Sequence, residues 1–390
     1  MEKKTRSTQY AGGFSTSISA FNHLEDPRKG RAKMHYFGEV LFIALAALIC
    51  QCEGFDDMEV FAKEREKWLR KHLKLPNGLP SDDTFRRVFT ALDPKQFNEC
   101  FIEFAREISG ALPPQLIAVD GKTVRHSFDG SDTKTSIHIV SAWASETGIS
   151  LGQLEIGKKS NEITTVPKLL KKLDIKDHTV SLDAMGCQKK IAQSIYLDGA
   201  DYVLALKGNQ GNLHQEVACF FDDPESWSHQ KKKGFRFDSY QQTNKGHNRI
   251  ETRTVLATNA IDWIDPKEGR LWLGLQSIVC VESTRFIQGT KENSTEKRYY
   301  LTSHEPDAKS LARMIRNHWS IENQCHWVLD VVWNEDASRI RKGNASQNVA
   351  LLRKMALNLL KLDHSVKASI SNKRLMATLN TDKLQKFLKL

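Results

Sequence analysis

The chain has 390 residues, of which 40% are hydrophobic and 27% charged, with only 10 Pro and 22 Gly. Such a length points to two or three units, and the composition excludes a fibrous or wholly disordered chain. The formal charge of +10 is uneven: Arg339 to Leu390 holds 12 Lys or Arg against 2 Asp, which is the entire excess, and residues 1–35 hold 7 basic against 3 acidic side chains.

Residues 1–30 are polar, with Ser, Thr and Gly scattered from Ser7 to Ser19, and read as a loose basic arm. The longest apolar run, Val40 to Cys50, has eleven residues. A membrane helix needs roughly 18 to 20, so a conventional span is excluded. The run also lies too far from Met1 to be the core of a cleaved signal peptide. Val40–Cys50, Met58–Leu73, Asp82–Leu92 and Phe97–Ile108 recur with helical spacing, broken by Gly54, Pro76, Gly78, Pro80 and Pro94. Ser81 or Asp82 can cap the third. This makes an all-helical unit over residues 31–110.

The pattern changes at Pro113-Pro114. Leu116–Val119 reads as a short buried strand ending in Asp120-Gly121, and Ile137–Ala144 and Ile149–Ile156 alternate around a hairpin signal at Glu146-Thr147-Gly148. Val166–Leu173 reads as a helix, Thr179–Leu182 as a strand ending in Asp183, Gln188–Leu197 as a helix and Tyr202–Leu206 as a strand. The order β-β-β-α-β-α-β is a mixed sheet covered by helices, an α/β core within an α+β chain. Residues 207–300 read as a mostly β insertion, with one helix at Asn212–Phe221 and strands at Thr252–Ala257, Leu271–Glu282 and Lys297–Thr302. Helices return at Ala308–Val332 and Val349–Leu362, within a closing segment 301–390 that ends in the basic tail. Seven cysteines, an odd number with no C-x-x-C pair, argue against a disulfide framework or a zinc finger and fit a reducing cytoplasm.

Two aspartates, Asp120 and Asp183, stand at the carboxyl ends of predicted strands, where open α/β sheets place their ligands. A hard divalent cation wants several oxygen ligands, and phosphodiester chemistry commonly uses two such ions. Glu322, amid Arg316, His318 and Trp319, offers a third carboxylate. A single strand-end Asp is more often a cap or turn former, so the reading rests on the three together. A positive end segment also suits a polyanion, although a basic face kept for solubility gives the same count.

The segments Ala118-Val-Asp-Gly-Lys122, Leu182-Asp-Ala-Met-Gly-Cys-Gln188, Asp201-Tyr-Val-Leu-Ala-Leu-Lys-Gly-Asn-Gln210, Gly246-His-Asn-Arg-Ile-Glu-Thr-Arg253 and His318-Trp-Ser-Ile-Glu-Asn-Gln-Cys-His-Trp-Val-Leu-Asp330 resemble the H-repeat-associated insertion-sequence transposases. The likeness extends upstream to Asp26-Pro-Arg28, His35 and Leu79-Pro-Ser-Asp-Asp-Thr-Phe85, and so covers nearly the whole chain. It implies an RNase H-like catalytic core of the DDE class, with Asp120, Asp183 and Glu322 as the metal-binding triad for Mg²⁺, or Mn²⁺ as a substitute. It further implies double-stranded DNA partners, namely terminal inverted repeats and target DNA, handled by a homodimer without any membrane. Glu251 is the rival third acid, but it sits among arginines on a predicted strand, where an ion pair is the simpler account. Two departures stand out. Related transposases place Tyr and Arg seven and four residues before the Glu and Lys seven after it, where this chain has Ile315, His318 and Leu329, and Asn248 replaces a Gly in the Gly-His-Gly-Arg stretch.

Around the triad, Lys122, Arg125, Lys207, Asn209, Arg249, Arg316 and His318 are expected to meet DNA phosphates. Trp319, Trp327 and Trp333 fall near helical spacing and read as core. Trp263 and Trp272, in the insertion, are the better candidates for stacking on an unpaired base, although core packing is the commoner fate. The helical unit and the basic tail are the expected DNA-docking surfaces. Two functions from different classes remain: a Mg²⁺-dependent transposase, and a relic or regulator that binds DNA without cutting it.

Overall fold

The computed structural model describes residue 21 and residues 24–124, 137–157, 160–246, 249–264, 272–287 and 293–390. Apolar residues at helical spacing fold the first unit into α1 (Phe37–Ile49), α2 (Phe55–Glu64), α3 (Glu66–His72), α4 (Asp82–Ala91) and α5 (Pro94–Ser109). The expected single helix over Met58–Leu73 is two, because Arg65 leaves helical geometry at φ −108° and ψ 14°. Ser81 is the N-cap residue of α4.

Nine strands form one sheet: β1 (Leu116–Val124), β2 (Ile137–Ala144), β3 (Ile149–Glu155), β4 (Thr179–Leu182), β5 (Asp201–Leu206), β6 (Phe237–Gly246), β7 (Arg249–Thr258), β8 (Ser277–Ile287) and β9 (Asn293–Thr302). Their order across the sheet is β3-β2-β1-β4-β5-β9-β8-β7-β6. The first five form the mixed sheet, with helix-linked parallel strands, expected above. β1, β2 and β3 are antiparallel, whereas β1, β4 and β5 are parallel. The connections between the parallel strands are helical, α6 (Glu162–Leu170) and α7 (Lys189–Leu197). The insertion brings α8 (Gly211–Asp222) and α9 (Pro224–Lys232), then adds its strands antiparallel to the β5 edge, pairing Val203 with Thr302. It extends the sheet and leaves β5 with a neighbour on each side.

The chain then forms α10 (Ala308–His318), a five-residue π-helical turn at Glu322–His326, α11 (Trp327–Val332), α12 (Ala345–Leu362), α13 (Ile370–Leu379) and α14 (Thr381–Phe387). One face of the sheet packs on α6, α7 and α8. On the other face, α10 covers β5 to β9, while Ala118 and Trp143 join a core made jointly by α1 to α5 and the closing helices. α12 lies at the centre of that core and is buried along nearly all of its length. Among the described residues no helix is long and apolar enough to cross a membrane.

Two sequence expectations change. The tail is only in part a basic surface: Arg353, Lys354, Lys373 and Arg374 are at most 5% exposed, while its other basic side chains are exposed or half-buried. The buried charges serve internal acceptors: Lys354 Nζ donates to Ser141 Oγ at 2.7 Å, Lys373 Nζ to the Leu360 carbonyl at 2.7 Å, and Arg374 Nη2 to the Leu48 carbonyl at 3.1 Å. Two of the tryptophans read as core also depart from expectation, while Trp263 and Trp272 take the commoner fate of core packing. Trp272 is 2% exposed and Trp263 stacks on Phe220 at 4.8 Å, whereas Trp319 and Trp327 are 41% and 56% exposed. Only Trp333 of its trio is core, at 1%.

Candidate active site

Strand register builds the site. The parallel β1–β4 ladder ends at Val119 opposite Leu182, so the next residues, Asp120 and Asp183, emerge side by side on strands about 4.8 Å apart. Asp120 is therefore not at the end of its strand, as the sequence suggested. β1 runs on to Val124 paired with β2, and Asp120 lies opposite Ser141. Asp183 does leave its strand, and its Oδ1 accepts from the Gly186 amide at 3.2 Å in the turn that follows.

Both aspartates and Glu322 line one cavity of about 350 Å³, together with Ser181, Lys207, Arg298, Tyr300, His318 and Trp319. Glu322 begins the π-helical turn. Such turns concentrate at functional sites because they re-aim side chains within a helix. Burial, then the Glu322 and Asp183 carboxylates, push the Asp120 carboxyl up to about 7. Burial lowers His318 to about 4, and its Nδ1 lies 2.8 Å from Ser181 Oγ. Burial likewise lowers His326 to about 3, and its Nδ1 sits 3.5 Å from Asp120 Oδ2. Near neutral pH both histidines are neutral partners in the site.

Sequence reasoning missed a fourth carboxylate. Glu162 opens α6 and reaches over Gly121, where an added Cβ would stand 2.1 Å from Glu162 Oε1. Its negative charge also raises Asp120, while burial and then the Asp183 carboxylate raise Glu162. The only sequence signal is the Gly beside Asp120.

The expected DNA contacts sort by geometry. Lys207 is exposed at the cavity rim. Arg316 lines a second cavity of about 350 Å³ that shares Arg298, Tyr300, Ile315 and Trp319 with the first and also holds Arg253 and Arg285. Arg298 packs over the Trp319 ring at 5.4 Å. Arg249 continues the β7 face formed by Glu251, Arg253 and Val255, beyond the residues lining that cavity. Lys122 is turned inward to Asp330 and Glu335, so its ammonium is committed to an ion pair rather than facing a phosphate. Asn209 is also committed: its Nδ2 donates to the Ala184 carbonyl at 2.6 Å, and Gln210 Nε2 donates to Cys187 at 2.6 Å, so both tie the β5 loop to the turn after Asp183. Arg125, His247 and Asn248 lie outside the described residues. Glu251 bonds Arg253 at 2.6 Å and Arg285 at 3.1 Å, an ion-paired carboxylate as expected.

The donor set fits a hard cation. Carboxylate oxygens converge on the cavity, whereas the nearby thiols Cys187 and Cys325 are held protonated by burial, at about 12 and 11. Among the described residues no three His, Cys, Asp or Glu side chains stand close enough together to hold an ion as they are.

Residues 111–359 match the model of a family described as Transposase DDE domain, and residues 18–105 match one described as DDE_Tnp_1-associated. The chain is similar to "Putative transposase YncI" of Escherichia coli O157:H7, 41% identical over 357 residues, covering 91% of this chain and 89% of that protein. It is also similar to "H repeat-associated putative transposase YhhI" of Escherichia coli K12, 36% identical over 352 residues, covering 90% and 91%. Among solved structures, a piggyBac transposase synaptic complex with hairpin DNA superposes with a TM-score of 0.44 at 12% identity, covering 96% of this chain and 77% of that one.

Proposed function

Because this chain belongs to the Transposase DDE domain family, we propose that it cleaves DNA at the ends of an insertion sequence and transfers the freed strand to target DNA. Asp120, Asp183 and Glu322 would hold two Mg²⁺ ions, with Mn²⁺ as a substitute. Bound there, the metal activates the attacking oxygen and stabilises the leaving one. The observation that carries this reading is the register: the β1–β4 ladder ends one residue short of both aspartates and opens them onto a cavity shared with Glu322.

The protein's own groups set the rest. Asp120 must lose its proton to bind a cation, and near neutral pH it is poised to do so. His318 and His326, kept neutral by burial, orient neighbouring groups without adding positive charge. Lys207 at the rim, with Arg316 in the adjoining cavity, offers cations to the phosphates of an incoming strand, whereas Arg253 and Arg285 are paired with Glu251. Exposed Trp319, between the two cavities, presents a flat apolar face beside them. A homodimer follows from the task, since two ends must be cut and joined together.

The test is cleavage of a labelled duplex carrying the element's own end, with binding followed in parallel. Wild type should cut with Mg²⁺ or Mn²⁺, while Asp183→Asn and Glu322→Gln bind with similar affinity and lose at least about a thousandfold in rate, the scale on which electrostatic stabilisation acts. A wild type that binds but never cuts would replace this function with that of a relic or regulator.

A further inference from the structure

We propose that Lys122 is a positioning residue that fixes the strand carrying Asp120 against the helical segment carrying Glu322, an inference that rests on the triad assigned above. β1 pairs with β4 only through Val119, so from Asp120 to Val124 the strand is held by β2 alone. The opposing segment is anchored in the core by Ile321, Cys325, Leu329 and Trp333, but its backbone is irregular. Its α-helical ladder is interrupted by the π turn at Glu322–His326, α11 has only six residues, and Asn334 ends it in the left-handed region at φ 51°. Neither carboxylate is placed by regular backbone alone.

Two rungs cross between them. Asp120 and Lys122 share one face of β1, about 6.7 Å apart along the strand, and His326 and Asp330 are four residues apart on the helical segment, a rise of about 6 Å. The spacings match. Asp120 meets His326 at 3.5 Å, while Lys122 Nζ donates to Asp330 and, at 2.7 Å, to Glu335. A slip of one residue on either side would break both rungs. The second rung is shielded on one side only: the Lys122 and Glu335 side chains are 11% and 2% exposed, whereas Asp330 is 28% exposed. Arg353 Nη1 completes the group at 4.0 Å from Glu335, which gives two cations for two carboxylates. A buried ion group adds little net stability compared with apolar packing, and what it supplies is a defined geometry.

The decisive variant is Asp330→Asn in the full chain, because it cuts the link to α11 yet leaves Lys122 paired with Glu335, so no buried charge is stranded. Lys122→Arg and Lys122→Met complete the set. Mn²⁺ affinity, read from the spectroscopic signal of the free ion, should weaken about 10- to 100-fold in Asp330→Asn. The melting temperature should move by only a few degrees. Lys122→Arg should retain more affinity than Lys122→Met. Wild-type Mn²⁺ affinity in Asp330→Asn would overturn the positioning role, however the melting temperature moved. Asp183→Asn is measured alongside. If it too keeps full affinity, the triad itself is misassigned and the clamp falls with it. If it loses affinity while Asp330→Asn does not, only the clamp fails.

Discussion

His318 and His326 flank Glu322, and burial holds their pKa values near 4 and 3, below the ordinary 6.5. A histidine with a depressed folded pKa stabilises the fold fully above 6.5 and loses that contribution as pH falls toward the folded value. Asp120 acts in the opposite sense. Its folded pKa of about 7 exceeds the ordinary 3.8, so its contribution is full below that value and is lost as pH rises through 7. Replacing one histidine separates the two effects: His318→Asn should lose less stability than wild type between pH 7 and pH 5, read from urea midpoints. An equal loss in both proteins would mean that His318 is not held neutral. Gly121→Ala tests the neighbouring carboxylate. The new Cβ would meet the mobile end of Glu162, which can swing aside, so the stability cost should stay below about 1 kcal/mol by denaturant titration. A cost of several kcal/mol would mean that Glu162 is rigidly held. The meeting of Asp120, Asp183 and Glu322 at one cavity was legible because motif and strand order agree on their positions. Glu162 was not, because it comes close to Asp120 only when α6 folds back across the sheet.

At the scale of elements, core strands and helices were readable from periodicity to within a few residues, and β4 to the residue. β6 was not. Its side chains are exposed or half-buried on both faces, so no apolar alternation marks it. α9 was missed for a similar reason, with Gln230 its one buried side chain. The tail was read only in part, because a charge count cannot see that Arg353, Lys354, Lys373 and Arg374 are buried against internal acceptors. α12 shows the consequence, since Asn358 Oδ1 and Nδ2 satisfy both the amide and the carbonyl of Ser150, each at 2.8 Å in a fully buried setting. Asn358→Ala strands both backbone groups and should cost about 3 kcal/mol. A loss under about 1 kcal/mol, measured by denaturant titration, would show that this junction is not dry. The loop before α12 is pinned too: Gly343 has φ +58°, and a Cβ there would lie 2.9 Å from the Thr90 carbonyl.

Across the whole molecule, the sequence suggested separate blocks, but the largest core is shared. α1 to α5 pack with the closing helices and with Ala118 and Trp143 of the sheet. The helical unit therefore lacks a complete core of its own. Residues 31–110 expressed alone should remain largely unfolded by circular dichroism, and the full chain should show one calorimetric transition linking that unit to the sheet. Two resolved transitions would contradict this. The shared core also bears on function, because α12 touches α4, α5 and β3 while its buried Arg353 approaches Glu335, the partner of Lys122. Contacts made by the helical unit are thus mechanically continuous with the strand that carries Asp120.

The most direct test of the central assignment is an anomalous-difference map from crystals of the protein bound to a duplex element end and soaked in Mn²⁺. The expected result is density within about 2.2 Å of carboxylate oxygens of Asp120, Asp183 and Glu322. Density elsewhere, at Glu251 for example, with none at Asp120 and Asp183, would contradict the triad and the function built upon it.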